Sequence, residues 1–156
     1  MKNIVVFKIL DREYGIDIAQ VREVIRFRKI TPVPESAGFI EGVIILRGKV
    51  MPAVNIRKKL GIEAKVSDKK GRIIIAQLEN NFLGVIVDSV SDVLRIEEED
   101  ITPPDEMFRE AKYLIGLVNL NRRLILLVDM AKLITQEEVV DMRKVYDKVE
   151  VRKKDE

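Results

Sequence analysis

Runs of isoleucine and valine alternate with tight polar breaks along most of the chain, and the pattern reads as strand rather than helix. Residues 4–10 and 14–18 flank a polar turn at Asp11-Arg12-Glu13. Residues 42–46 and 50–54 flank Arg47-Gly48-Lys49, where glycine supplies the positive φ of a hairpin turn. Residues 24–28 add a strand, and 73–78 and 82–87 flank an Asn80-Asn81 turn. Strands at 93–96, 114–120 and 123–128 complete about five per half. Short strands joined by tight turns predict small antiparallel barrels or a sandwich.

Helix is brief. Ile18, Val21 and Ile25 share one face of a helical turn after Asp17, and Val87, Val90 and Leu94 have a similar spacing, with Asp88 as a capping residue. Asn55 and Asp129 read as N-caps of short helices, the first ended by Gly61. Thr135 and Glu138 have capping-box spacing, and Val139, Met142, Tyr146 and Val149 then fall on one face. That predicts a C-terminal amphipathic helix. Residues 64–72 read as a charged join between halves, and 97–112 as a long polar loop.

The chain repeats itself. Residues 39–60 align with 113–134 at an offset of 74 without a gap: Gly42 falls on Gly116, Leu46 on Leu120, Val54 on Val128 and Asn55 on Asp129. Residues 14–26 align with 83–95 at an offset of 69: Gly15 meets Gly84, Val21 meets Val90 and Val24 meets Val93. Ile30-Thr31-Pro32 recurs as Ile101-Thr102-Pro103. Such self-similarity implies two like supersecondary units.

Composition narrows the chemistry. The 156 residues are 47% hydrophobic, enough for a substantial core. Lys plus Arg is 28 against 26 Asp plus Glu, a net charge of +2 that argues against bulk electrostatic binding to nucleic acid or membrane. Cys, His and Trp are absent, so thiol nucleophiles, Cys/His zinc sites and His-dependent triads are excluded. No apolar run approaches the ~20 residues of a spanning helix, and the N-terminus reads as a first strand rather than a signal peptide. A cytoplasmic protein is expected.

Few residues invite a chemical role. Glu97-Glu98-Glu99-Asp100 is a cation site or, more simply, a solvated loop. The basic clusters lack the interleaved aromatics of single-strand nucleic-acid binders. Arg47 sits at a hairpin tip where the repeat has Asn121, so it is either an ordinary exposed arginine or a partner contact. The stripes Ile18/Val21/Ile25 and Val87/Val90/Leu94 are core, or they line a groove that accepts an amphipathic helix.

Three stretches carry a resemblance: Val21-Arg22-Glu23-Val24-Ile25, Ile30-Thr31-Pro32-Val33-Pro34, and the run from Phe39 through Leu46-Arg47-Gly48 to Pro52. With Gly84-Val85-Ile86-Val87-Asp88-Ser89-Val90 they resemble the CheW family of bacterial chemotaxis coupling proteins. The likeness covers residues 3 to about 135. Two departures stand out: Ile45 replaces the family's usual Asn, and Asn55 its usual Asp.

The resemblance implies an all-β fold with short helices: two five-stranded SH3-like antiparallel β-barrels sharing an intervening core. It implies a CheW-like domain over 1–135, with halves of about 1–68 and 69–135 and strand exchange between them open; the amphipathic helix read above and a charged tail follow over 136–156. It implies a non-catalytic adaptor without cofactor or metal, bridging the histidine kinase CheA, through its regulatory domain, to the cytoplasmic hairpin of chemoreceptors. No nucleic acid and no membrane insertion are implied. Carried over by motif, Ile18, Val21, Glu23, Arg47, Val90 and Val93 are expected at the receptor, and Ile30 and Gly42 at the kinase. The alternatives are a CheW-like adaptor of a non-motility chemosensory pathway, a CheA or CheV-type relative, for whose extra domain 156 residues leave no room, and a single-strand nucleic-acid-binding barrel.

Overall fold

The computed structural model describes residues 2–33, 39–62, 71–79, 81–105 and 111–133. The predicted C-terminal helix, its capping box and most of the join at 64–72 lie outside the described residues. In chain order the elements are β1 (Lys2–Ile9), β2 (Arg12–Asp17), a 3-10 turn (Ile18–Gln20), β3 (Val21–Arg26), β4 (Ile40–Leu46) and β5 (Lys49–Asn55). Then come α1 (Ile56–Lys59), β6 (Arg72–Leu78), β7 (Asn81–Val87) and β8 (Ser89–Ile96). A 3-10 turn (Glu98–Asp100), β9 (Ile101–Thr102), β10 (Leu114–Leu120), β11 (Arg123–Val128) and α2 (Met130–Leu133) complete the order.

The strands form two sheets. Sheet I runs β3-β6-β7-β5-β4 and sheet II runs β8-β1-β2-β11-β10-β9. Hairpin β1–β2 therefore sits in the sheet otherwise built from late strands, and β6–β7 in the sheet otherwise built from early ones. The joints are parallel, β2 with β11 and β5 with β7, whereas every other strand pair is antiparallel. In each sheet the chain leaving one edge strand reaches the other edge: Thr31, beyond β3, bridges Val43 of β4, and β9, beyond β8, pairs with β10.

The exchanged hairpins are apolar on both faces, which is why they read as near-continuous hydrophobic runs. Val5, Phe7 and Ile9 enter a central core with Tyr14, Ile16, Ile74, Ala76, Val85 and Val87. The intervening residues Ile4 and Val6 join a core inside sheet II, and Ile73 and Ile75 one inside sheet I. Phe7 stacks on Tyr14 across β1–β2 with ring centroids 5.6 Å apart. Burying a side chain such as Phe7 contributes about 2–3 kcal/mol.

Local chemistry sets the ends of the elements. Asn55 Oδ1 accepts the Arg57 N–H, as an N-cap should. At the other end of α1, Gly61 (φ +70°) and Ile62 donate to the Lys58 and Arg57 carbonyls, a Schellman stop. Asp129 likewise accepts from Ala131 N–H. Two expectations need correction. No helix spans Ile18/Val21/Ile25 or Val87/Val90/Leu94, because beyond the 3-10 turn both stretches are strand. The supposed loop at 97–112 contains a 3-10 turn and β9.

Candidate functional site

Two pseudo-equivalent strands, β3 and β8, carry four of the six residues expected at the receptor: Val21, Glu23, Val90 and Val93. Each holds a β-bulge at the same place in the repeat. In β3 the register passes from Val21↔Ala76 to Glu23↔Ile75, skipping Arg22. In β8 it passes from Val93↔Val5 and Asp92↔Val6 to Val90↔Phe7, skipping Ser91. A bulge adds one residue to the period of two, so positions three apart share a face. Val21 and Val24 thus face the central core side, as do Val90 and Val93. Val21 and Val90 pack on that core. Val24 and Val93 stand outside it, 39% and 56% exposed. Ile18, in the turn before β3, is 41% exposed.

Glu23 turns the other way and meets Arg47. The pair is bidentate, with Nη1–Oε1 at 2.8 Å and Nη2–Oε2 at 3.0 Å. Arg47 holds φ +49° in the β4–β5 turn, a left-handed conformation that costs a non-glycine residue of order 1 kcal/mol. Its repeat partner Asn121 has φ +52°, where asparagine is better suited. The side chain is 75% exposed, so the ion pair is screened and adds little to stability.

Beside this pair lies a recess of about 280 Å³. Leu46, Met51, Ile75 and Phe82 form its apolar floor, and Arg22, Glu23, Arg47 and Lys49 its rim. Lys49 Nζ rests 3.9 Å above the Phe82 ring. Lys49 and Phe82 escaped the sequence reading, because the Phe82 ring and the ammonium come from strands that are not neighbours in sequence.

Ile30 and Gly42 also come together. A Cβ on Gly42 would lie 2.2 Å from the Thr31 carbonyl oxygen and 2.9 Å from Ile30 Cγ2. Close backbone approach therefore demands glycine there, whatever else the residue touches. Ile45 is 59% exposed, and its carbonyl accepts from Arg28 Nη1 at 2.8 Å.

Asp88 does not cap a helix. Its carboxylate holds Arg57 of α1 through Nε (3.1 Å) and Nη2 (2.5 Å), and accepts the Leu10 N–H at 2.7 Å. It stands where the chain crosses from sheet I to sheet II, and so ties α1 to the β1–β2 turn. Across the molecule Arg123 is held by Asp92 (2.9 and 3.0 Å) and by Glu13. Hydrogen bonds from Arg123 lower the Asp92 pKa, and those that Arg123 donates to Asp92 and Glu13 raise its own.

The acidic run at 97–100 is a capped 3-10 turn, with Glu97 N–H donating to Asp100 Oδ2 at 2.8 Å. Among the described residues no acidic cluster is arranged to hold a metal ion, and no helix is long and apolar enough to cross a membrane.

A family model, the CheW-like domain, matches residues 3–138. The chain belongs to the CheW-like family. The chemotaxis protein CheW of Thermotoga maritima is 38% identical over 130 residues, covering 83% of this chain and 85% of the relative. That of Klebsiella aerogenes is 35% identical over 136 residues, covering 86% and 82%. The crystal structure of the scaffolding protein TtCheW from Thermoanaerobacter tengcongensis superposes with a TM-score of 0.79 at 35% identity, covering 88% of this chain and 90% of that one. The chain is a chemotaxis scaffold of the CheW type, mostly β with short helices.

Proposed function

We propose that the chain couples a CheA-type histidine kinase to the cytoplasmic hairpins of chemoreceptors, in the cytoplasm and without catalysing a reaction. The observation that carries the reading is the matched pair of bulges. They leave Val24 and Val93 exposed beside the core-packed Val21 and Val90 on two repeat-related strands. Such an apolar surface suits the face of a receptor helix. Val21, Val90 and Val93 form its floor and flank, with Ile18 at its end. Glu23 and Arg47 add polar selection, and the strained φ of Arg47 is consistent with a side chain retained for contact rather than for folding. Ile30 and Gly42, at the junction of Thr31 with β4, are assigned to the kinase regulatory domain. A scaffold that binds both partners couples the state of one to the other through its differential affinities.

The test is a titration of the purified chain against the kinase regulatory domain and a receptor hairpin from the same genome. Saturable binding to both is expected. Val93→Asp should weaken hairpin binding at least about tenfold while leaving the melting temperature within a few degrees, because an exposed site tolerates charge. Val21→Asp loses binding together with stability, since Val21 packs on the core. Arg47→Ala should keep the fold and weaken binding. A wild-type chain that binds neither partner would overturn the reading.

A further inference from the structure

The repeat builds the mouth of each sheet from corresponding positions and fills the two differently. Arg22, Glu23, Lys49 and Phe82 in sheet I correspond to Ser91, Asp92, Arg123 and Glu13 in sheet II. In sheet II Arg123 is gripped by Glu13 and Asp92, so two carboxylates cover one guanidinium and the mouth is plugged by its own side chains. In sheet I Phe82 takes the place of Glu13. The cation at the Arg123 position, Lys49, lies over an aromatic ring instead of a carboxylate. Glu23, the counterpart of Asp92, is engaged by Arg47. Three cations, Arg22, Arg47 and Lys49, thus share the rim with one carboxylate, above an apolar floor.

A cationic rim over an apolar recess selects its occupant by charge and by shape. We propose that this recess receives an apolar side chain adjacent to a carboxylate, on an acidic segment of the receptor hairpin. The apolar group covers Met51, Ile75 and Phe82, and the carboxylate takes Lys49 and Arg22. The inference rests on the receptor-binding reading above and gives it a recognition chemistry. Sheet II is the internal control, because there the cation at the Lys49 position is already engaged by the chain's own Glu13 and Asp92.

The test copies one mouth into the other. Phe82→Glu supplies Lys49 with the carboxylate that Glu13 gives Arg123, and should lower affinity for the receptor hairpin about tenfold and flatten its salt dependence. Lys49→Gln keeps the aromatic floor and removes one exposed cation. It should weaken binding about threefold with a smaller salt slope. Circular dichroism and melting establish that each variant is folded; if Phe82→Glu is not, Lys49→Gln decides. Wild-type binding with unchanged affinity and salt slope in the folded variants would overturn this inference and leave the coupling role standing. Absence of wild-type binding would overturn both.

Discussion

Replacing Asp88 by Ala removes the carboxylate that holds Arg57. The Arg57 side chain is 8% exposed and that of Asp88 22%, so the cation stays in a low-dielectric site after this carboxylate has gone. Breaking a buried pair from one side costs about 3–5 kcal/mol, and the partial exposure of Asp88 favours the lower end. The Leu10 N–H, in an exposed turn, returns to water at small cost. A net loss of about 3 kcal/mol should lower the melting temperature by about 10 °C in a chain of this size. Arg57→Met alone removes the buried charge and should cost less. Combined with Asp88→Ala it should recover at least half of the loss, because no buried guanidinium is then deprived of the Asp88 carboxylate. Thermal and urea unfolding of the two single variants and the double variant make the cycle. Additivity within about 0.5 kcal/mol would refute the claim that the pair acts as a unit.

Further expectations are open to the same assays. Gly42→Ala must push the Thr31 carbonyl away from β4 and should cost about 2–3 kcal/mol, read as a lowered urea midpoint; a neutral result would show that the segment around Thr31 yields freely. Asn55→Ala loses the α1 cap and a hydrogen bond to Glu41, and about 1 kcal/mol of stability should go with them. The Asp92 carboxyl is held below its ordinary pKa, chiefly by Arg123. The unfolded chain therefore takes up that proton first. The stabilisation is complete above about pH 4 and is lost as pH falls through the lowered folded value. Arg123→Gln should make the acid dependence shallower, and a superimposable pH profile would count against the assignment.

Ten of the strands were legible, β3 and β8 only in their later residues, because alternation and turn residues are local signals, and so were the caps at Asn55 and Asp129. The misreading of β3 and β8 has a definite cause. The helical reading grouped Val21 with Ile25 and Val90 with Leu94, but each bulge turns such a pair to opposite faces: Val21 and Val90 pack on the central core, Ile25 on that of sheet I and Leu94 on that of sheet II. β9, two residues long, is too short to leave a pattern. Arg57 and Asp88 lie 31 positions apart, and no local rule pairs them. Glu23 and Arg47 were singled out separately by motif, but their ion pair depends on how the β4–β5 turn folds back over β3. Lys49 and Phe82 were passed over for the same reason: their meeting is decided by the parallel pairing of β5 with β7.

That parallel pairing also governs how the chain must come together. Sheet II joins β2 to β11 through Glu13↔Ile125, and sheet I joins β5 to β7, so neither is complete while its partner half is missing. A ribosome must release the chain beyond Leu126 before Tyr14 can meet it. With such distant pairings the loop-closure entropy comes due before most native contacts can offset it, and folding should be slow and all-or-none rather than half by half. The topology is that of two like units that exchange hairpins within one polypeptide. Because one polypeptide encodes each unit separately, a substitution at one mouth leaves the other unchanged, and the two can differ as Phe82 and Glu13 do.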